Sequence, residues 1–135
     1  MIRKDPPRLI PPGFSTVTPY FFVDDAPKFV EFLVAGLGGE ELSRHMNGDR
    51  IANAMVRLGT STVMVSEASP DYPAMPASYY IYVENADASM ARAVAAGATI
   101  IMDVADMPYQ DRQGGVRDPF GNLWWISQRL VDGPY

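Results

Sequence analysis

Residues 20–26 read YFFVDDA, and residues 80–86 repeat the pattern as YIYVENA. Each copy runs into an apolar segment that contains alanine and ends at glycine, first around Gly36 and then at Gly97. A strand-to-helix unit that recurs sixty residues later, at 80 against 20, predicts two similar modules within one chain. We therefore expect any ligand site to lie between the modules, on residues that occupy matching positions in the two copies.

Working outward from these copies, the pattern predicts the same order of elements twice. β-Branched and aromatic residues predict a strand over 17–23, and Asp24 and Asp25 offer N-cap oxygens to a helix that Pro27 can open. Asn85 is the predicted cap of the second helix. Alternation and turn residues predict the remaining strands over 41–45, 53–58, 62–66, 78–83, 99–104, 113–116 and 123–127.

The resulting βαβββ order, found twice, predicts a single domain over residues 1–135. Its predicted parts are a proline-rich N-terminal arm over 1–13, module one over 16–68 and module two over 77–129. A length of 135 residues with 47% hydrophobic residues is enough for a sizeable core.

Composition excludes several classes of protein. The chain has no cysteine, which rules out disulfides and thiolate metal ligands and fits a reducing compartment. A net charge of -5 with only 11 lysines and arginines argues against a nucleic-acid partner. The sequence shows neither a signal segment nor an apolar run long enough for a membrane span. We expect a soluble, cytoplasmic protein with no membrane partner.

Strand alternation sorts the side chains onto two faces, because residues two apart share a face. One face is predicted to carry an aromatic floor with hydroxyl edges: Thr18, Tyr20 and Phe22, then Ser78, Tyr80 and Tyr82, with Met64 and Trp125 from the last strands. Such a surface is typical of a pocket for a flat or partly apolar small molecule, but it could also simply pack the sheet. The opposite face, predicted to form core beneath the helices, carries Phe21, Val23, Ile81, Val83, Trp124 and Ile126.

One arginine is a further candidate. Arg112 could meet a carboxylate or phosphate at the pocket mouth with its planar fork of donors. The alternative is an ion pair within the loop, with Asp111 or Asp118. The adjacent Gly114 and Gly115 predict a bulge or a close approach of the backbone.

Residues 108–124, PYQDRQGGVRDPFGNLW, carry a resemblance to a known family. Together with the repeated βαβββ order, they resemble the vicinal oxygen chelate superfamily, which includes glyoxalase I, bleomycin-resistance proteins and extradiol dioxygenases. The tract itself is similar to the PhnB-like branch. The resemblance extends over residues 17–128 and implies an α+β fold of two βαβββ modules forming a cupped mixed sheet. It also implies that the ligand lies in the cup, often across a homodimer.

The resemblance implies a metal site with one ligand from the first and one from the last strand of each module. Those positions fall at Thr18, Met64, Ser78 and Trp125. Two hydroxyls, a thioether and an indole do not bind a divalent metal as imidazole and carboxylate do. Where many relatives carry a His and a Glu on the third strand, this chain has Asn53 and Met55, and its one histidine, His45, has no partner in the motif. We expect no metal and no cofactor.

The favoured hypothesis is a metal-independent small-molecule binding protein, a homodimer that resembles the bleomycin-resistance type. In it, a ligand stacks on Tyr20, Phe22, Tyr80, Tyr82 and Trp125 and is oriented by Thr18, Ser78, Asn53 and Arg112. This interpretation leans away from an enzyme and assigns no catalytic residue. One alternative is a metal-dependent glyoxalase-like lyase, isomerase or dioxygenase. Another is that the aromatic faces serve only as a dimer interface.

Overall fold

The computed structural model describes residue 5 and residues 7–135. Module one consists of β1 (Tyr20–Val23), α1 (Ala26–Ala35), β2 (Glu40–Asn47), β3 (Arg50–Leu58) and β4 (Ser61–Glu67). Module two consists of β5 (Ser78–Tyr82), α2 (Ala86–Ala95), β6 (Thr99–Asp106), β7 (Asp111–Arg117) and β8 (Leu123–Arg129). Part of the predicted N-terminal arm, residues 1–4 and 6, lies outside the described residues.

Each module forms one four-stranded mixed sheet. The strand orders are β1-β4-β3-β2 and β5-β8-β7-β6, so the two sheets have the same topology. The register matches as well: Tyr20 lies opposite Met64 in the parallel β1–β4 pair, and Tyr80 lies opposite Trp125 in the parallel β5–β8 pair. The predicted α+β fold of two βαβββ modules is confirmed, with the eight strands divided between two separately hydrogen-bonded sheets.

The two helices begin in different ways, and only one follows the prediction. The Asn85 side chain accepts a hydrogen bond from the Ala88 N–H at 3.0 Å, as predicted for the N-cap of α2. Asp25 makes no such bond, because its backbone is left-handed at φ 64°. Glu67, at the end of β4, accepts instead from the N–H groups of Asp25 and Ala26, both at 2.8 Å. A carboxylate distant in sequence therefore satisfies the donors of α1.

The helix-covered faces of both sheets share one core. Phe21 of β1 packs against Tyr79 and Trp124 of module two, with ring centroids 4.8 and 5.9 Å apart. Phe29 of α1 contacts Phe120 edge-on at 5.2 Å. The predicted core face is confirmed: Phe21, Val23, Trp124 and Ile126 are buried, and Ile81 and Val83 pack partly buried against them.

The shared core determines which faces of the two sheets meet within one chain. Aromatic rings on the core side, among them Phe21, Phe29 and Trp124, pack between the two modules. The predicted floor residues lie on the opposite side of each sheet, which we call the outer face. Each outer face belongs to a separate sheet, so one chain does not bring the two aromatic sets together between its modules.

The turn between β7 and β8 is organised by one buried carboxylate. Asp118 accepts hydrogen bonds from the backbone N–H groups of Phe120 (2.8 Å) and Asn122 (3.0 Å). It also accepts from Asn122 Nδ2 at 3.0 Å and from Trp124 Nε1 at 2.9 Å. Gly121, at φ +90°, provides the left-handed residue that this turn needs. The turn residues predicted over 118–122 therefore also fix the indole of a core tryptophan.

Candidate functional site

The outer face of module one carries a stacked aromatic pair with a polar edge. The rings of Tyr20 and Phe22 stack with centroids 4.8 Å apart and planes 14° from parallel. Tyr72, from the linker before β5, stacks on the far side of Phe22 at 5.7 Å. The Tyr20 hydroxyl lies 2.7 Å from Ser66 Oγ, which faces the same side of the sheet. This face therefore presents a row of three rings, of which Tyr20 has its hydroxyl group held by a hydrogen bond.

Asn53 brings an unused acceptor to this face. Its Nδ2 donates to the Tyr20 hydroxyl at 3.4 Å, while its Oδ1 is buried and has no hydrogen-bond partner among the described residues. Ser43 Oγ, on the neighbouring strand β2, is also buried and has no hydrogen-bond partner among the described residues. Buried polar atoms are normally paired, so these two atoms are exceptions among the described residues.

The outer face of module two repeats the arrangement. Tyr80 and Tyr82 have their rings 5.3 Å apart, and each residue is about half exposed, at 46% and 51%. Trp125 lies beside Tyr80, and its Nε1 donates to Ser78 Oγ at 2.8 Å. The structure thus brings Ser78, Tyr80, Tyr82 and Trp125 to one surface.

Asp111 lies at the centre of this face and is fully buried. Its Oδ2 accepts from the hydroxyls of Tyr80 at 2.5 Å and Tyr135 at 2.8 Å, with the Tyr82 hydroxyl at 3.4 Å. Its Oδ1 binds Arg129 Nη1 at 3.0 Å. Burial, followed by the hydrogen bond to Asp111, raises the pKa of Tyr80, so this phenol remains a proton donor. A carboxylate that receives three phenols and a guanidinium is thus the polar centre of an aromatic surface.

The sequence pattern predicts no ligand role for Asp111, and the ion-pair partner of Asp111 is Arg129 rather than Arg112. Its partners come from β5, β8 and the segment after β8, which no local pattern connects. One signal was available: extending the alternation of β7 back to residue 111 places Asp111 on the same face as Gln113, the face that carries the tyrosines.

Arg112 lies on the other face of β7. It binds Asp87 at 2.7 Å and Asp106 at 3.0 Å, so neither ion-pair partner considered from the sequence is correct. The hydrogen bond from Arg112 lowers the pKa of Asp87. The structure does not bring Arg112 together with the aromatic set.

Thr18 precedes β1, since that strand begins at Tyr20 rather than at the predicted residue 17. A cavity of about 520 Å³ lies between the two modules, where core-side residues such as Phe21 and Val63 of module one face Tyr79 and Trp124 of module two. The predicted site residues thus form two clusters, one on each sheet, and Tyr80 and Tyr82 of the second cluster also border this cavity.

The four positions that would hold a metal do not fit one. Met64 and Trp125 lie opposite Tyr20 and Tyr80, and Ser78 Oγ is bound to an indole N–H. None of these groups, nor Thr18, is an imidazole or a carboxylate, the usual oxygen and nitrogen ligands of divalent metals. Across residue 5 and residues 7–135, no group of three or more His, Asp or Glu side chains is arranged to hold a metal.

The same portion of the chain contains no helix that is both long and apolar enough to traverse a bilayer.

Comparisons with known proteins agree with this architecture. Residues 14–126 match the Glyoxalase/Bleomycin resistance protein/Dioxygenase superfamily. The chain is 32% identical over 127 residues to the uncharacterized protein Mb0911c of Mycobacterium bovis, covering 83% of this chain and 82% of that protein.

Among solved structures, TioX from Micromonospora sp. ML1 is similar at a TM-score of 0.71 and 27% identity, over 89% of this chain and 100% of TioX. TnmS3, an antibiotic binding protein from Streptomyces sp. CB03234, has the same fold, with a TM-score of 0.67 and 20% identity over 82% of this chain and 91% of TnmS3. The βαβββ repeat, the matched registers and the family match lead to one conclusion: the chain belongs to the glyoxalase/bleomycin resistance protein/dioxygenase superfamily.

Proposed function

We propose that this protein binds a flat or partly apolar small molecule on its aromatic outer faces, without a metal. The observation that carries the proposal is the matched exposure of Tyr20, Tyr80 and Tyr82, at 42%, 46% and 51%, on surfaces whose hydroxyl groups are held in place. Rings that are half open to solvent and already oriented can stack on a ligand at little entropic cost.

The proposal includes a homodimer. β1 and β5 are edge strands rich in aromatic residues, and among the described residues neither has a second strand partner. The Met75 N–H bonds the Phe22 carbonyl at 3.2 Å and covers one position of the β1 edge. Open edges of this composition associate readily unless another segment covers them. A second copy that sets β1 of one protomer beside β5 of its partner would join the two outer faces into one cup.

Within that cup we assign stacking to Tyr20, Phe22, Tyr80, Tyr82 and Trp125, with Met64 lining the floor. Orientation falls to Thr18, Ser78 and Asn53, since the free Asn53 Oδ1 suits a donor on the ligand. Arg112 is left out because its ion pairs hold it on the opposite face of β7.

Two further lines support the proposal. TnmS3, which shares the fold, is an antibiotic binding protein, so this scaffold is compatible with sequestering a small molecule. The tract over residues 108–124 leads us to place the chain nearest the PhnB-like branch. A cytoplasmic location, favoured by the lack of cysteine, stays a prediction.

Three measurements on the purified protein test the proposal. Light scattering should give twice the chain mass of 14.9 kDa, and elemental analysis should give no stoichiometric metal. Fluorescence of Trp125 should change when aromatic ligands from a library are added. About one metal ion per chain, lost together with an enzymatic activity on chelation, would instead establish the metal-dependent alternative.

Variants locate the site. Tyr80→Ala should weaken binding of any ligand found by about tenfold, because it removes ring stacking and apolar burial of about 1.5 kcal/mol. Val94→Ala, on the exposed side of α2, is the control and should bind as the wild type does. If the two variants bound the ligand with equal affinity, the ligand would not bind on the outer face of module two.

A further inference from the structure

Tyr135 reaches the outer face of module two from the segment after β8. Its hydroxyl donates to Asp111 Oδ2 at 2.8 Å, and the Arg129 guanidinium carbon lies 4.5 Å from its ring centroid. The residue is nevertheless 76% exposed, in a segment over 130–135 with no helix or strand. Arg129 also donates to the Gly133 and Pro134 carbonyls at 3.1 and 2.9 Å, so the backbone of this segment is held in place. The one hydrogen bond and one cation–π contact of the exposed Tyr135 side chain can be exchanged for equivalent contacts without releasing that backbone.

The groups around the Tyr135 side chain determine what kind of ligand group would fit in its place. Asp111 is buried, and its charge is already matched by Arg129 at 3.0 Å. A second cation there would have to compete with Arg129, so the additional donor that the site accepts best is neutral. Around it, Tyr80 and Tyr82 present aromatic edges, and Arg129 presents a flat cationic surface. These features suit a ring that carries a hydroxyl group.

We infer that the contacts of Tyr135 mark the binding position of a hydroxylated aromatic ring of the ligand. The ligand hydroxyl donates to Asp111 Oδ2, and its ring lies against Arg129, so that the ligand takes over both contacts from Tyr135. This inference rests on the proposed function, because it names the class of molecule that the outer face of module two recognises.

A matched pair of probes tests it: 2-naphthol, and 2-methoxynaphthalene, which has the same ring system without a donor. Binding is followed by fluorescence titration of the wild-type protein, Tyr135→Phe and the control Val94→Ala. A hydrogen bond to a carboxylate should make 2-naphthol bind about tenfold more tightly than the ether. Tyr135→Phe keeps the ring but removes the competing hydroxyl. It should tighten 2-naphthol binding about threefold or more and leave the ether unchanged.

Val94 lies on the exposed side of α2, away from the outer faces, so Val94→Ala should keep the wild-type preference for 2-naphthol. Equal affinity for the two probes in the wild type and in Tyr135→Phe would overturn this inference while leaving a small-molecule site on the face. Failure of both probes to bind any of the three proteins would overturn this inference, while the ligand library described above decides the proposed function separately. Binding of 2-naphthol only after Tyr135→Phe would support the inference, since it shows direct competition.

Discussion

Asp118 offers the sharpest test of how the β7–β8 turn stabilises the fold. Its buried carboxylate accepts four hydrogen bonds, from Phe120 N, Asn122 N, Asn122 Nδ2 and Trp124 Nε1. Asn122 in turn accepts from the Ala77 N–H at 3.1 Å, which connects the turn to the start of β5. Loss of this carboxylate should therefore affect three strands at one end of the module-two sheet, where Ser78 of β5 and Arg117 of β7 both lie opposite Leu123 of β8.

Two substitutions of Asp118 distinguish the hydrogen bonds accepted by its Oδ1 from those accepted by its Oδ2. Asp118→Asn can keep Oδ1 as the acceptor for the backbone N–H groups of Phe120 and Asn122. It places an amide NH₂ against the donors that now bind Oδ2, Asn122 Nδ2 and Trp124 Nε1. At about 1 kcal/mol for each donor left unpaired in a buried place, Asp118→Asn should cost about 2 kcal/mol and Asp118→Ala about 4 kcal/mol.

The assay is urea unfolding monitored by tryptophan fluorescence. The free energies of unfolding are compared with the same m-value for all variants. Asp49→Asn, the same change at an exposed position in the β2–β3 turn, is the control and should stay within about 0.5 kcal/mol of the wild type. If Asp118→Asn and Asp118→Ala were equally destabilising, the division of the bonds between the two oxygens would be refuted. If both matched Asp49→Asn, the turn would have no role in stability.

Three further predictions follow from contacts described above. Burial, and then the hydrogen bond to Asp111, raises the pKa of Tyr80, so the protonated form of Tyr80 stabilises the folded protein. This contribution is complete below the ordinary tyrosine pKa of about 10 and is lost as the pH rises towards the pKa of Tyr80 in the folded protein. The free energy of unfolding should therefore fall less steeply between about pH 9.5 and 11 in Tyr80→Phe than in the wild type, and identical slopes would contradict the assignment. Gly115→Ala places a Cβ 2.8 Å from the Trp125 ring, so this variant should shift the tryptophan fluorescence and weaken ligand binding. Gly114→Ala places its Cβ on the other face of β7, 2.7 Å from the flexible end of Met90, so it should lower stability by about 1–3 kcal/mol and leave ligand affinity unchanged. Glu67→Ala removes the acceptor for two N–H groups of α1 and should cost about 1 kcal/mol in thermal or urea unfolding; a wild-type stability would show that solvent satisfies those donors equally well.

The sequence predicted the parts of the fold that depend on local alternation. Period-two patterning assigned Phe21, Val23, Trp124 and Ile126 to the core, because neighbouring side chains on a strand must face opposite sides. The same rule gave the outer sets around Tyr20 and Tyr80, and the sequence repeat gave the equivalence of the two modules.

The errors fall where distant residues decide the outcome. Asp is a residue type that commonly caps helices, but at the start of α1 the Asp25 side chain does not act as the acceptor. The Glu67 side chain, 42 residues further along the chain, accepts the backbone N–H instead. The partners of Arg112 come from α2 and β6, which meet β7 only after the sheet has formed. Residues at matching positions of the two modules were expected to face each other, but within one chain the core faces meet between the modules, with Phe21 packed against Tyr79. Sequence spacing alone does not indicate which face of a sheet the second module covers.

The separation of core and outer face within each strand also bears on how such a protein can change its specificity. Along β1 and β5, the residues that stack in the shared core alternate with those that face outward, so the two sets can mutate almost independently. Substitutions that do not share partners tend to have additive effects on stability. Random libraries restricted to Tyr20, Phe22, Met64, Tyr82 and Trp125 should therefore yield mostly folded variants, which makes this scaffold a practical starting point for selecting binders of new aromatic compounds.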